Sequence, residues 1–428
     1  MTYHNVANNV QSALATAVAA TDTAMTVNDA VFPAVPFYAT INKTEVVEVT
    51  AISATNTKSW TTVNRGQDGT TASTWAVGTL VEVDVVAAHI SEIHIGLTKN
   101  YVEPSGNATT DVANIQAALN TKGYTKLAPG QFTLIGTGTQ LLQFLGGWLE
   151  GSGKGVTSLV VDGSVPTTTN IISMPSYPQL WYPKISDLTI TTTATSSPGQ
   201  YGLYIDFVNV PAGQTPYISG FKMSDVSFGN VGSRSVYLDN PSFADSMAVT
   251  TFDNVVAPRG VYMKGVGDSP RFIGGQYFNP SLPAFDITQV SGANGLVIDG
   301  ANGLSWAGFI KLNNVLYPAI LRCDVDHGTS TYTTVAGVAI VDIGATAQVN
   351  LAKIEGNNFA NVGTVVADNI RLGAYTSNAK VDDNNLPCTG AGYYGLNILA
   401  GATGTKVGKN NQFTSQTISD NGTNTVYL

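Results

Sequence analysis

Residues 228–279 read FGNVGSRSVYLDNPSFADSMAVTTFDNVVAPRGVYMKGVGDSPRFIGGQYFN and contain one short element three times. Each copy is an aromatic residue, a variable residue and an asparagine, and the asparagines are Asn230, Asn254 and Asn279. Successive asparagines are about 25 residues apart, and a repeat of about 20 to 50 residues is typical of solenoids, in which each repeat stacks on its neighbours. This stretch therefore predicts a stacked architecture.

The same period continues towards the C-terminus, where the pairs Asn357-Asn358, Asn384-Asn385 and Asn410-Asn411 recur at nearly constant spacing. Asparagine tolerates left-handed backbone geometry, and its amide can hydrogen-bond up and down a stack of corners. Short strand-like segments lie between the asparagines, and several end in Asp: Asp206, Asp239, Asp299 and Asp342. At about 25 residues per rung, residues 125–420 predict on the order of 12 rungs and a shaft about 55–60 Å long.

A short amphipathic segment precedes the repeats. Residues 111–120 read DVANIQAALN, present one apolar face, and can be capped by Thr109 or Thr110. The following segments, Leu127-Ala-Pro-Gly-Gln-Phe132 and Leu149-Glu-Gly-Ser-Gly153, resemble the opening of pectate-lyase-like domains. The resemblance implies an all-β fold, a right-handed parallel β-helix over residues 107–428, whose open end is covered by the helix.

Residues 1–84 have the pattern of a small β domain. The segments VNRGQDGTTA (63–72) and WAVGTLVE (75–82) predict a strand, a glycine-rich turn and a second strand, as any β hairpin would have. The pattern Arg-Gly-x-Asp-Gly-Thr-Thr-Ala, followed by Trp-x-x-Gly-Thr-x-Val, is also similar to the N-terminal virion-attachment domain of bacteriophage tail fibres and tail spikes. This resemblance implies that residues 1–84 attach the protein to phage tail or baseplate proteins.

Residues 85–106 form a predicted helical neck and linker. The residues Val86, Ile90, Ile93, Leu97 and Asn100 follow the 4-3-4-3 spacing of a heptad seam. The segment is either one amphipathic helix packed on a neighbour or a short trimeric neck, and Pro104-Ser-Gly106 ends it. The resemblance to tail fibres and spikes implies a homotrimer.

Composition and motifs exclude several classes of protein. With 20 Lys+Arg against 29 Asp+Glu, the chain is a poor nucleic-acid binder, because phosphate contacts need clustered basic residues. No apolar run reaches the roughly 18 residues of a membrane span. Since the first residues lack a basic segment followed by an apolar one, we expect no export leader. Cys323 and Cys388 lie far apart in the chain, so we expect two buried apolar residues and no disulfide framework or zinc site. No cofactor or metal motif is present, and none is expected.

One acidic group is a candidate catalytic site. Asp324 and Asp326 lie two apart, which in a strand places both carboxylates on one face, about 6.5–7 Å apart. Inverting glycosidases hold their carboxyl groups about 6.5–9.5 Å apart. Asp299 lies about one rung before Asp324, and Glu355 lies about one rung after Asp326. If the four residues share a face, stacked rungs are expected to bring them within about 5–10 Å of one another. The alternative is that these residues are exposed polar caps at strand ends, and cation binding is a third possibility.

Four further residues are candidates for substrate binding. His327 follows the acidic pair and can contact a sugar or transfer a proton. Trp181, Tyr182 and Trp306 are aromatic residues on which a sugar ring can stack. The alternative for each aromatic residue is packing against the shaft.

Three functions remain open. The resemblance implies a component of the virion tail, assembled in the host cytoplasm, whose β-helix binds a host cell-surface polysaccharide. The protein is then either a receptor-binding protein without catalysis, a depolymerase acting as hydrolase or lyase, or a structural tail protein. A free-standing pectinase would be expected to carry an export leader and a Ca²⁺-binding acidic cluster, and neither is clear in the sequence.

Overall fold

The structure, a computed structural model, describes residues 10–29, 32–83, 100–177, 179–192, 200–210, 216–229, 232–240, 247–279, 281–289, 294–305, 307–327, 338–361, 367–388, 392–413 and 418–428. The chain divides into two compact units, Met1–Lys99 and Asn100–Leu428. The heptad positions from 86 to 97 lie outside the described residues. No helix in the described ranges has the length and apolarity that a membrane span requires.

The first unit contains a six-stranded antiparallel sheet in the order β1-β6-β3-β4-β5-β2. Its strands are β1 (Val10–Ala13), β2 (Met25–Thr26), β3 (Phe37–Ile41), β4 (Glu45–Ile52), β5 (Ser59–Gln67) and β6 (Leu80–Val83). Alternating apolar side chains bury a core around Phe37, Val47 and Trp60. The two strands predicted around the glycine-rich turn are β5 and β6, but they do not pair with each other, because β3 and β4 lie between them.

The glycine-rich segment folds around the buried carboxylate of Glu45, which is 0% exposed. Arg65 Nε and Nη2 donate to its two oxygens at 2.6 and 2.7 Å, and Trp75 Nε1 donates at 2.6 Å. Burial by itself raises the pKa of Glu45, but the hydrogen bonds from Arg65, Trp75 and the Ser73 amide outweigh it and leave the pKa below its ordinary value. Arg65 and Trp75 of the motif therefore stabilise the buried carboxylate of Glu45 on β4 by hydrogen bonding.

The second unit is a parallel β-helix, with each strand pairing in register with the next rung. Its largest sheet, called here the long sheet, has 22 described strands: β7 (Tyr101–Val102), β8 (Tyr124–Leu127), β9 (Gly130–Leu134), β11 (Trp148–Glu150), β12 (Thr157–Val161), β15 (Lys184–Thr192), β18 (Lys222–Phe228), β21 (Thr251–Asp253), β22 (Val256–Ala257), β24 (Arg271–Ile273), β25 (Gln276–Asn279), β27 (Val297–Asp299), β28 (Asn302–Ser305), β31 (Ala319–Leu321), β32 (Asp324–His327), β35 (Lys353–Glu355), β36 (Asn358–Asn361), β39 (Lys380–Asp382), β40 (Asn385–Leu386), β42 (Lys406–Val407), β43 (Gln412–Phe413) and β45 (Val426–Tyr427).

The second sheet has eleven described strands: β10 (Gln140–Gln143), β13 (Asn170–Pro175), β16 (Tyr201–Asp206), β19 (Arg234–Asp239), β23 (Val261–Val266), β26 (Phe285–Gln289), β29 (Ile310–Asn313), β33 (Val341–Ile343), β37 (Ile370–Leu372), β41 (Leu396–Ile398) and β44 (Ile418–Asp420). Two short sheets complete the rungs: β14 (Leu180–Trp181), β17 (Ile218–Ser219) and β20 (Met247–Ala248), and then β30 (Val315–Leu316), β34 (Val349–Asn350) and β38 (Thr376–Ser377). Eleven stacked strands span about 48 Å, slightly less than the shaft length predicted from the sequence.

Each rung passes twice through the long sheet, then through the second sheet, and returns. Inward side chains of the long sheet form an apolar column of Leu149, Ile185, Met223, Phe252, Phe272, Ile298, Ile320, Ile354 and Val381. Between the two passes, one corner residue per rung has a positive φ: Asp187, Asp225, Asn254, Gly274, Gly300, Arg322, Gly356 and Asp383. The left-handed conformation turns the chain sharply, which explains the abundance of Gly, Asn and Asp at this corner.

A buried asparagine ladder runs through the C-terminal rungs. Asn384 Oδ1 accepts hydrogen bonds from the backbone N and Nδ2 of Asn357, at 3.1 and 2.8 Å. Asn411 Oδ1 accepts the same two bonds from Asn384, and Asn357 Oδ1 accepts from the Cys323 amide at 2.9 Å. The predicted vertical hydrogen bonding is confirmed for these rungs.

The three earlier asparagines do not form one column. Asn254 occupies a corner with φ 52° and donates to Asp225 Oδ1 at 2.6 Å. Asn279 lies in β25, is 2% exposed, and donates to the Arg259 carbonyl at 2.6 Å. Asn230 lies outside the described residues. The interpretation of these elements as one repeated corner is therefore wrong for Asn254 and Asn279, which lie at different places in the rung.

The predicted helix is α1 (Ala108–Leu119), which packs Ile115 and Leu119 against the first rungs. Its N-cap is Asn107, whose Oδ1 accepts from the Thr110 amide at 3.0 Å, so the predicted threonine cap is wrong. Asparagine is among the preferred N-cap residues. Ahead of the helix, β7 falls inside the segment predicted as neck and linker, and it pairs with β8.

Candidate functional site

Two columns of charged side chains run along the outer surface of the long sheet. In the first strand of each rung, the middle residue points inwards and the residues on either side point outwards. The column on one side contains the cations Lys184, Lys222, Arg271, Lys353, Lys380 and Lys406. The column on the other side contains the carboxylates Glu150, Asp253, Asp299, Glu355 and Asp382. Ion pairs join the columns at Lys222–Asp253, Lys353–Glu355 and Lys380–Asp382.

Asp299 and Glu355 belong to this carboxylate column. Leu321 lies between them in the ladder, so they are two rungs, or about 10 Å, apart. Asp299 accepts a hydrogen bond from Arg322 Nε at 2.8 Å, and Glu355 forms an ion pair with Lys353. Each carboxylate therefore has its own cation.

Asp324 and Asp326 lie in β32, on the other side of the corner formed by Arg322. Both are exposed, and Val325 between them is 0% exposed, so the predicted shared outward face is confirmed. The ladder neighbours of Asp324 are Asn302 and Asn358, and Asn358 Nδ2 donates to Asp324 Oδ1 at 2.8 Å.

The expectation that all four acids form one stacked group is therefore wrong, because they occupy two different positions along the rung. Asp299 and Glu355 are not ladder neighbours of Asp324 or Asp326. The reason is geometric: a sequence spacing near one rung brings residues to neighbouring rungs but does not place them at the same point of the rung. The structure brings together Asp324 with Asp326, and separately aligns Asp299 with Glu355.

Trp181 and Tyr182 form an exposed aromatic corner. Their side chains are 58% and 69% exposed, so they do not pack into the shaft. The Trp181 ring meets the Tyr217 ring at a centroid distance of 5.4 Å. Tyr182 has φ 52° and lies over Gly220, where an added Cβ would come within 2.3 Å of the tyrosine ring. The glycine leaves room for this ring on the neighbouring rung.

A second exposed aromatic group was not predicted. Trp148 is 48% exposed, and its ladder neighbours are Tyr124 and Lys184. The Tyr124 and Trp148 rings are 6.0 Å apart, and Lys184 Nζ lies 5.2 Å from the centroid of the Trp148 ring. The sequence does not reveal this column, because its members are unequally spaced along the chain. More residues separate Trp148 from Lys184 than separate Tyr124 from Trp148.

Two further residues predicted to bind substrate, His327 and Trp306, have side chains outside the described part of the structure. The backbone of His327 ends β32, in register with Ser305 and Asn361, but its side chain lies outside the described part of the structure. Trp306 also lies outside the described residues. Within the ranges that the structure describes, no group of three His, Cys, Asp or Glu residues is placed to hold a metal ion.

No protein-family model and no curated protein matches this sequence. Solved structures of similar fold include the Dettilon tailspike protein, with 16% identity, a TM-score of 0.47, and coverage of 75% of this chain and 68% of that chain. They also include tailspike protein 3 of bacteriophage CBA120, with 12% identity, a TM-score of 0.46, and coverage of 90% and 70%. The A-module of mannuronan C-5 epimerase AlgE4 from Azotobacter vinelandii has 14% identity, a TM-score of 0.40, and coverage of 74% and 92%. The strand pairing itself shows that residues 100–428 form a parallel β-helix, and these tailspike proteins and this epimerase module are what the chain is similar to.

Proposed function

We propose that the protein is a bacteriophage tail spike or tail fibre, a virion component that binds a host cell-surface polysaccharide during adsorption. The observation that carries the proposal is the exposed corner of Trp181 and Tyr182 on the rigid β-helix. Adjacent aromatic side chains exposed to solvent often mark a binding site, and they suit the apolar face of a sugar ring. In this proposal the protein is a homotrimer in the virion tail, assembled in the host cytoplasm and docked through residues 1–84.

The test is binding of the purified full-length protein to host cells and to their extracted surface polysaccharide. Trp181→Ala and Tyr182→Ala are each expected to raise the Kd at least about tenfold, which corresponds to a loss of about 1.4 kcal/mol. Tyr375→Ala is the matched control, because Tyr375 is similarly exposed at 56% but lies several rungs away. If the wild-type protein binds neither cells nor polysaccharide from the true host, the receptor-binding proposal fails and a structural tail role is favoured.

A second candidate function is depolymerisation of the bound polysaccharide. It is favoured by Asp324 and Asp326, whose exposed carboxylates share one face at a spacing suited to an inverting hydrolase. One carboxyl would protonate the leaving oxygen while the other activates a water molecule.

Size-exclusion chromatography of the polysaccharide, before and after incubation, measures cleavage. Asp324→Asn or Asp326→Asn is expected to abolish shortening of the chains and to leave binding intact. The control is Asp382→Asn, which changes a carboxylate paired with Lys380 in another column. Chains that remain intact with the wild-type protein would refute the catalytic function and leave the binding function standing.

A further inference from the structure

Four tyrosines stack on the outer surface of the second sheet, and we call this group the tyrosine face: Tyr201, Tyr204, Tyr237 and Tyr262. Tyr204, Tyr237 and Tyr262 are ladder neighbours on three successive rungs. The rings of Tyr201 and Tyr237 are parallel within 6° at a centroid distance of 4.0 Å, and those of Tyr237 and Tyr262 are 4.9 Å apart. The rings pack on one another and remain only half-buried, so their outer edges form a continuous strip.

Carboxylates and an amine border the strip. Two residues beyond the tyrosines, Asp206, Asp239 and Lys264 are ladder neighbours. The hydroxyl of Tyr237 donates to Asp239 Oδ2 at 3.4 Å, and Lys264 Nζ lies 3.6 Å from Asp239 Oδ1. That Oδ1 is buried and receives no hydrogen bond from the described residues. Since buried acceptors are normally satisfied, this oxygen has capacity for one more donor.

Arg234 lies beneath the tyrosine face and is an independent sign of unused bonding capacity. Its residue is 3% exposed, and its guanidinium lies 5.9 Å from the centroid of the Tyr262 ring. A guanidinium carries five N–H donors, but among the described residues its only hydrogen-bond acceptor is the Pro283 carbonyl, which Nη1 contacts at 2.6 Å. A buried arginine is normally paired through several of its donors.

The charges around the face favour an uncharged ligand. Three carboxylates, those of Asp206, Asp239 and Asp286, lie beside three cations, Arg234, Lys264 and Lys311, so these groups carry no formal net charge. The chain as a whole has a formal charge of −9. An anionic polymer would be repelled by these carboxylates. Burial, followed by the charge of Asp206, raises the pKa of Tyr204 to about 12. The phenol is uncharged at physiological pH, and its O–H donates to Asp206 Oδ1 at 3.4 Å. The hydroxyls of Tyr204 and Tyr237 already donate to Asp206 and Asp239, so their oxygens are left to accept. Sugar hydroxyls can donate to these phenol oxygens and to the carboxylates, and they can accept from the cations.

We propose that the tyrosine face is a binding subsite for an uncharged, hydroxyl-rich segment of a polysaccharide, with Asp239 and Arg234 as its polar anchors. This inference rests on the proposed function, since it specifies the chemistry of the glycan and a second place where the β-helix holds it. It is separate from the pair Asp324 and Asp326, which lies on the long sheet.

The test uses the full-length protein, extracted host polysaccharide, and panels of neutral glucans, galactans and mannans beside alginate and polygalacturonate. Tyr237→Phe removes one hydroxyl and retains the stacked ring, and Asp239→Asn removes one charge. Each is expected to raise the Kd for the neutral ligand at least about tenfold. Thermal unfolding should show that each variant is fully folded at the temperature of the binding assay. Tyr375→Phe is the matched control. The binding should vary little between about 0.05 and 0.5 M salt, because no net charge is neutralised.

Three results would overturn the inference, and they are distinguishable. Wild-type Kd values in both variants, together with loss of binding in Trp181→Ala, would refute this subsite and leave the proposed function standing. Binding confined to the acidic polymers, and weakened by salt, would refute the uncharged ligand. Absence of wild-type binding to any host cell or polysaccharide would refute both the inference and the proposed function.

Discussion

Replacing Glu45 by Gln tests whether the N-terminal motif is a structural unit. The substitution retains the size of the side chain but turns one acceptor oxygen into an NH₂ group, which then faces the donors of Arg65 and Trp75. It also leaves the guanidinium of Arg65, whose side chain is 6% exposed, without its counter-charge. Removing one partner of a buried ion pair costs about 3–5 kcal/mol. We expect the first unit to lose about that much stability.

Hydrogen exchange measured by mass spectrometry on the full-length protein separates the two units. In Glu45→Gln, peptides from β3, β4 and β5 should exchange at least about a hundredfold faster at pH 7, while β-helix peptides remain unchanged. Glu48→Gln is the control on the same strand, and it should cost less than about 1 kcal/mol because Glu48 pairs with Asn64 at the surface. Equal exchange in the two variants would refute the reasoning. Because the folded pKa of Glu45 is lowered, its stabilisation is present above the unfolded value of 4.5 and is lost as the pH falls through the folded value.

Three further predictions concern the β-helix. Asn384→Ala interrupts the buried ladder and should lower the free energy of unfolding by about 3 kcal/mol in urea titrations, whereas Asn385→Ala, at the exposed neighbouring position, should cost less than about 1 kcal/mol. The pKa of Tyr204 is about 12 in the folded state, against 10.0 in the unfolded state. The stability difference between wild type and Tyr204→Phe should therefore be constant below pH 10 and shrink as the pH rises towards 12. A difference that stays constant up to pH 12 would contradict the raised pKa of this half-buried phenol. Gly220→Ala should displace the Tyr182 ring and weaken glycan binding, as is expected of Tyr182→Ala, and it also strains the backbone because Gly220 has a φ of +68°. Unchanged binding would show that the position of the ring is irrelevant.

Several features were predictable because they are local properties of the chain. The shared outward face of Asp324 and Asp326 follows from strand alternation alone. Vertical hydrogen bonding between asparagines follows from the regular recurrence of the pairs 357–358, 384–385 and 410–411. Only the structure showed that Asn411 is the member of the last pair that joins the ladder. The helix ahead of the first rung was predictable from its amphipathic pattern, although its cap at Asn107 was not, because neighbouring positions offered competing polar side chains.

Other features needed the register between rungs. In the carboxylate column, the segment from Asp299 to Leu321 is much shorter in sequence than the segment from Leu321 to Glu355, because more residues follow β32 in that rung. A mean period cannot show which side chains become neighbours when the rungs differ by this much. The tyrosine face was hidden for the same reason, since the step from Tyr204 to Tyr237 is longer than the step from Tyr237 to Tyr262.

The sequence by itself determined that this protein is a stack of short strands with Gly, Asn and Asp corners, because strand alternation and turn preferences act over a few residues. The sequence also showed the N-terminal motif, although it did not show that Arg65 and Trp75 of this motif hydrogen-bond to Glu45. Only the tertiary structure decided which charges pair, which aromatic residues stay exposed, and which tyrosines stack. These properties depend on the loop lengths between rungs, which set the register of residues that are distant in the chain and about 4.8 Å apart in space.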